Sequence, residues 1–241
     1  MLTDMHPLLF SCCTCRTYHK GEQIHLCYGQ YSNRSLIEIY GFLLWDNPQE
    51  SVCLSISDDG QRIPGELRPM ASGRGGSGSA YEVYQNGYPS WDLLCFIRWK
   101  AVAAALNAAS NETRPSLGQN VNDVSIGSES TKNGESWSSR IQQGRIVSLD
   151  LEIKAFDYLH FLCVQKLKQY ATTPEEDRLI LAGLEKKEME SERGEKEKQL
   201  EHEKLAVQWR LCQKRVLEKA KEICKIYQEH LRNHPTLYQG F

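Results

Sequence analysis

Apolar positions alternate with polar ones near the start of the chain and then change to helical spacing, and this change divides the sequence. Over residues 23–28, Ile24, Leu26 and Tyr28 share one face and His25 and Cys27 the other, the period of two that a half-buried strand needs. Gly29 breaks that strand, Gln30, Ser32 and Asn33 supply a polar loop, and residues 35–40 with Leu36, Ile37 and Ile39 predict a short helix closed by Gly41. Asp46-Asn47-Pro48 marks a turn. Val52, Leu54 and Ile56 then alternate as a second strand before Asp58-Asp59-Gly60 turns the chain again. Residues 71–80 form a flexible loop by composition; they resemble a phosphate cradle only superficially, because no Walker lysine follows. Residues 81–84 are expected to pair across Asn86-Gly87 with the chain near Tyr88, since that dipeptide is a strong hairpin turn.

From Trp91 the period is helical. Trp91, Leu94, Cys95, Arg98, Val102 and Ala105 fall three and four apart, and the alanine-rich run to Ala109 allows close approach of a neighbour. Residues 111–144 are rich in Ser, Asn and Gly and read as a flexible insert. Ser148 is placed to cap a helix with Asp150 and Glu152 in its first turn and an apolar seam of Leu149, Ile153, Phe156, His160, Cys163, Leu167 and Tyr170. His160 reads as a core histidine, because no partner stands at helical spacing to complete a metal site. Thr173, Pro174 and Glu176 spell an N-cap, first position and capping box, and one long helix is expected to follow, with Gly183 and Gly194 as its weak points. Over residues 185–204 Glu interleaves with Lys and Arg, the pattern of a solvated helix face. An apolar stripe returns at Trp209, Cys212, Val216, Ala220, Ile223 and Tyr227, expected to pack on the Trp91 and Ser148 helices.

Charge and composition exclude some functions. With 29 Lys and Arg against 31 Asp and Glu among 241 residues, the net charge of -2 gives no global basic field for nucleic acid. No apolar run approaches the roughly 20 residues of a membrane span, so a soluble protein is expected. Nine cysteines without a regular framework fit reduced thiols in an intracellular compartment, with cytoplasm, nucleus and plastid not distinguished. Cys12, Cys13, Cys15 and His19 invite a zinc reading, but the spacing lacks a second pair at finger distance, so a buried thiol strand is preferred and no metal is expected. The sequons at Asn33 and Asn111 read as chance matches.

The run Gly21-Glu22-Gln23-Ile24, Tyr28-Gly29, Ser32-Asn33 and Tyr40-Gly41-Phe42 resembles the closing motif of SET-domain lysine methyltransferases, in particular the RuBisCO large-subunit methyltransferase class with its plant SET-domain-group proteins. The Thr172-Thr173-Pro174-Glu175-Glu176-Asp177 start, with Arg210 and Lys214 before Val216-Leu217, resembles the helical substrate-binding domain that follows SET in that class. The resemblance implies an α+β chain: residues 1–90 as the C-terminal part of a SET domain, and residues 91–241 as an all-α substrate-binding domain with a long charged C-terminal helix. It implies that Tyr28 is catalytic, orienting the target amine toward the methyl of S-adenosyl-L-methionine, and that Tyr40, Gly41 and Phe42 pack on that cofactor. Methyl transfer to nitrogen needs an aligned, deprotonated amine in a dry channel, and a fixed phenol suits the task.

The family's upstream Gly-x-Gly segment and Asn-His motif have no match before Tyr28, and Asn233-His234 stands at the far end of the chain. The chain is therefore expected to begin inside the last part of a SET domain, to hold a partial cofactor site, and to bind S-adenosyl-L-methionine weakly or not at all by itself. Three functions remain open: a protein-lysine N-methyltransferase acting on a protein substrate with a target lysine; a non-catalytic protein-binding module made of the helical domain; and a helical scaffold whose charged segment forms a coiled coil with another chain. The third lacks the sustained apolar seam a coiled coil needs.

Overall fold

The computed structural model describes residues 16–24, 29–56, 81–112, 136–190 and 195–238. It divides the chain into two compact units, Met1–Gln30 and Tyr31–Phe241. In the first, Arg16 pairs with Glu22 at 2.6 Å while its guanidinium lies over the Tyr18 ring, and the Glu22 amide donates to the His19 carbonyl. Most of the strand expected over residues 23–28, with Tyr28 at its end, and Cys12, Cys13 and Cys15 lie outside the described residues.

The second unit is α+β and mostly helical. Its elements are α1 (Asn33–Tyr40), β1 (Ser51–Cys53), β2 (Glu82–Tyr84), α2 (Trp91–Glu112), α3 (Trp137–Gln142), α4 (Leu149–Lys168), α5 (Pro174–Glu190) and α6 (Glu195–Asn233), followed by a 3-10 turn at Pro235–Tyr238. β1 runs antiparallel to β2, with Val52 opposite Val83. The strand predicted as far as Ile56 ends its ladder at Cys53, although Leu54 is buried and its amide still donates to the Tyr81 carbonyl at 2.9 Å. The Asn86-Gly87 turn forms as expected, the Gly87 amide donating to the Tyr84 carbonyl at 2.8 Å. Gly87 has φ +86°, and a Cβ there would stand 3.0 Å from Ile223 and 3.1 Å from the Lys219 backbone, so the turn presses directly on α6.

α2 corrects the one-sided seam. Residues 95–103 are buried round the whole helix, enclosed by α3, α4 and the Tyr81 ring, whereas Trp91 is 52% exposed. A helix apolar on every side belongs at the centre, and the run Leu-Leu-Cys-Phe-Ile-Arg-Trp has no polar face to turn outward. The later alanines, Ala104 and Ala108, face solvent and bring no neighbour close. The expected insert is also shorter than residues 111–144: α2 continues to Glu112, and α3 begins at Trp137, capped by Ser136 and anchored by fully buried Ile141.

α4 stands between α2 and α6, so α6 packs on α4, α5 and the hairpin rather than on the Trp91 helix. Ser148 caps α4, its hydroxyl accepting the Leu151 amide at 3.2 Å. Glu152, in the first turn as expected, is buried and bound by Arg98 of α2 at 2.7 Å and 2.9 Å, with the Gly144 carbonyl taking a further guanidinium N–H at 3.0 Å. His160 is half-buried on α4, and its Nε2 meets no hydrogen-bond partner among the described residues. The Thr173 capping box forms with reciprocal bonds to Glu176 of 2.7 Å and 3.2 Å.

The single long helix expected after Pro174 is two helices. Glu188 pairs with Lys204, Leu184 packs with Val207, and Asp177 meets Arg210, so residues ascending α5 meet residues descending α6. Within the charged stretch, Lys204 of α6 thus finds its partner, Glu188, on α5. Leu184, Val207 and Leu211, with Leu181 and Leu200, are the thin apolar seam beneath those charges.

Candidate functional site

The Tyr40-Gly41-Phe42 segment owes its position to how α1 ends. Ser32 caps the start, Leu36 buries the inner face, and Gly41 takes the left-handed conformation at φ 74°, its amide donating to the Ile37 carbonyl at 3.1 Å. The reversal turns Tyr40 and Phe42 to the surface on either side of Gly41, 39% and 36% exposed, with ring centroids 6.2 Å apart. Tyr31 meets Tyr40 edge-on at 6.2 Å. A Cβ built on Gly41 would meet no atom within 4 Å beyond its two chain neighbours, so Gly41 itself faces open space. Ile39, Leu44 and Trp45 are exposed beside them. An apolar corner of this kind on a protein surface marks a contact site for a ligand or another protein surface. The three residues proposed to pack on the cofactor are thus together; Tyr28, the proposed catalytic residue, lies outside the described residues.

Behind the corner is a buried polar knot. Asn33, fully buried, pairs its primary amide with the Leu44 peptide group, donating to its carbonyl and accepting from its amide, both at 2.9 Å. Asn47 donates to the Tyr31 carbonyl at 2.8 Å and to Asn33 Oδ1 at 3.2 Å, and accepts the Gln49 amide at 3.0 Å. These bonds fold residues 41–47 back on the first turn of α1 and fix where Phe42 stands. They also explain why the Asn33 sequon is no glycan acceptor: its amide nitrogen is inside the fold.

Residues 210–215 of α6 hold this loop on one side and α5 on the other. Arg215 donates to the Trp45 carbonyl at 2.6 Å and pairs with Asp46 at 3.0 Å. On the other side, Asp177 of α5 receives Arg210 at 2.9 Å, Lys214 at 2.5 Å and the Thr172 hydroxyl at 2.7 Å. Lys214 is as buried as its partner and also donates to the Thr172 carbonyl, so each of its protons has an acceptor. Burial alone would push the Asp177 carboxyl up, but the hydrogen bonds from Arg210, Lys214 and Thr172 outweigh it and hold it at about 2. The Cys212 thiol, against the same loop, is pushed up to about 11 by burial and by the Glu50 charge, which makes it an inert core group.

Sequence reasoning found Arg210 and Lys214 as a spaced pair and Asp177 as a first-turn acid, without joining them. It placed Asn33 in the family-like motif and Asn47 in a turn without assigning either a buried role, and it passed over Glu50 and Gln213 entirely, because the partners of these residues include ones 11 or more residues distant. Among the described residues no group of three His, Cys, Asp or Glu side chains is placed to hold a metal, and no helix is long and apolar enough to cross a membrane.

Known proteins match this chain in three ways. The family model for the Rubisco LSMT substrate-binding domain matches residues 74–217. Protein SET DOMAIN GROUP 40 of Arabidopsis thaliana is 24% identical over 171 residues, 71% of this chain and 28% of that protein. Actin-histidine N-methyltransferase of Danio rerio is 27% identical over 213 residues, 87% of this chain and 30% of that protein. The chain thus spans less than a third of the length of these relatives.

Proposed function

Since the chain belongs to the Rubisco LSMT substrate-binding family, we propose that it is the substrate-binding part, with the adjoining end of the SET domain, of an S-adenosyl-L-methionine-dependent protein methyltransferase. The observation that carries this reading is the exposed Tyr40-Gly41-Phe42 corner, whose loop is held by Arg215 and Cys212 of the helical layer that the family model matches. Residues 1–90 supply the SET portion and the helices from Trp91 onward hold the protein substrate.

The residues present fit the cofactor. The exposed faces of Tyr40 and Phe42 offer aromatic surface to an adenine ring and to a sulfonium cation. When bound, S-adenosyl-L-methionine supplies a methyl group activated by that sulfonium. Tyr40 and Phe42 would pack against it and keep water from that side, with Gly41 between them adding no side chain. Tyr28, by its place in the motif, aligns the nitrogen of the target side chain; alignment and exclusion of water are what such a transfer needs from the protein.

The target is a nitrogen-bearing side chain of a protein, and the motif favours lysine. The histidine named for the zebrafish relative motivates a second reading, in which the acceptor is an imidazole nitrogen. Mass spectrometry of methylated products assigns the modified residue type and separates the two. A non-catalytic binding module is supported by outward-facing Leu179 and Phe161 on α5 and α4, which offer apolar contacts to a protein partner.

The cofactor corner is tested by NMR titration of the chain with millimolar S-adenosyl-L-methionine. Weak binding with shifts centred on Tyr40, Gly41 and Phe42 and lost in Phe42→Ala is expected. Absent shifts, or shifts unaffected by Phe42→Ala, overturn it.

A further inference from the structure

Glu50 is a carboxylate in the wrong place for a structural ornament. It is almost fully buried, and among the described residues no cation is hydrogen-bonded or ion-paired to it. Its Oε2 accepts the backbone amide of Asn33, the first residue of α1, at 3.3 Å, and its Oε1 accepts Gln213 Nε2 of α6 at 2.7 Å. Gln213 also donates to the Ser51 carbonyl at 3.1 Å, pinning the start of β1 to the same point. One carboxylate thus joins the helix that ends in the candidate cofactor corner to the helix that carries the Asp177 clamp. An apolar side chain would fill this space at lower cost, since burying an unpaired charge is unfavourable.

We propose that Glu50 and Gln213 are positioning residues, through which α6 of the helical layer sets the place of the Tyr40-Gly41-Phe42 corner. The inference rests on the reading of that corner as a cofactor wall. The path is short: Gln213 fixes Glu50, Glu50 fixes the Asn33 amide, and the Asn33 side chain fixes Leu44, which closes the loop through Phe42. A protein substrate that shifts α6 would be felt at the cofactor wall through this contact.

The groups around Glu50 decide its pH behaviour. They are the Asn33 amide from α1, the Ser51 amide from β1, Gln213 and the Cys212 thiol from α6, and the Tyr170 phenol just after α4, both of the last two feeling the Glu50 charge. Burial raises the Glu50 carboxyl, only partly opposed by the hydrogen bonds from Asn33, Ser51 and Gln213. An acid raised in the closed state takes up its proton there first. The closed loop therefore gains stability as pH falls toward the unfolded value and loses it as pH rises through the folded one.

Native-state hydrogen exchange tests the proposal without any cofactor, reading the Leu44 amide against amides in the centre of α4. In Gln213→Met, Leu44 should exchange about tenfold faster relative to α4, the effect of losing one hydrogen bond to a charged group. Thr172→Val, which weakens the clamp on the other side of α6, should leave the ratio within about twofold. In the unmodified chain the relative protection of Leu44 should rise as pH falls toward the ordinary carboxylate range, and in Glu50→Gln it should be flat. An unchanged ratio in Gln213→Met, or the same pH profile in Glu50→Gln, overturns the proposal. A chain that shows the coupling but no cofactor-induced shifts at Phe42 instead removes the reading of the corner and leaves the coupling standing.

Discussion

Replacing Asp177 by Asn tests whether the α5–α6 clamp holds the helical layer together, and its magnitude follows from the contacts. Asp177 has no exposed surface, Lys214 is 1% exposed, and the carboxylate receives donors from Arg210, Lys214 and Thr172. Asparagine keeps the shape but leaves a buried ammonium without its counter-charge and turns an amide toward other donors; breaking such a pair costs about 3–5 kcal/mol. Loss of charge alone is measured by acid. The carboxyl falls from its ordinary 3.8 to about 2, so at ~1.4 kcal/mol per pH unit the ionised form contributes about 2 kcal/mol. Because the folded value is depressed, that contribution is complete above about pH 4, roughly half gone near pH 3, and lost as pH falls through about 2. Urea unfolding of both proteins at pH 7 and pH 3 is the assay. The gap between them should be several kcal/mol at pH 7 and about 1 kcal/mol smaller at pH 3. A gap under about 1 kcal/mol at pH 7, or one that does not narrow with acid, refutes the clamp.

Glu152→Gln should destabilise by about 3–5 kcal/mol, whereas Arg98→Leu with Glu152→Leu should recover most of it, because removing both charges of a buried pair leaves none unpaired; thermal unfolding of the single and double variants distinguishes them. Gly87→Ala should cost more than about 1 kcal/mol, since a side chain meets both a positive φ and the α6 backbone; Gly183→Ala, in open space within α5, should be neutral or stabilising in the same denaturation assay. In the complete enzyme, Tyr28→Phe should lower single-turnover rate far more than cofactor affinity, as loss of an oxygen that orients the acceptor requires; wild-type turnover would remove Tyr28 from that role.

Local chemistry was legible in the sequence because it closes within a few residues. The Gly41 helix stop, the Asn86-Gly87 turn, the Ser148 cap and the Thr173 capping box all depend on side chains reaching their own backbone, and each forms as the pattern implies. The substrate-binding family was legible for a different reason, that the Thr172–Asp177 start with Arg210 and Lys214 keeps its residue types and spacing. Pattern also sufficed for an α+β chain with a helical second part.

Only the tertiary structure decided which polar residues go inside. Arg98 fell on an apolar seam and Glu152 in a helix first turn with nothing to join them, yet they are one buried pair 54 residues apart. The charged stretch after Pro174 had no apolar break to show where one helix becomes two; it is Lys204 with Glu188, and Asp177 with Arg210 and Lys214, that fold it back on itself. Glu50 and Gln213 are unremarkable in sequence because the cost of burying an amide or a carboxylate depends on partners supplied by other elements, 163 residues away for this pair. Periodicity reports the face a residue shares with its neighbours in the chain; whether a polar group on that face is solvated or satisfied inside is settled only when the helices meet.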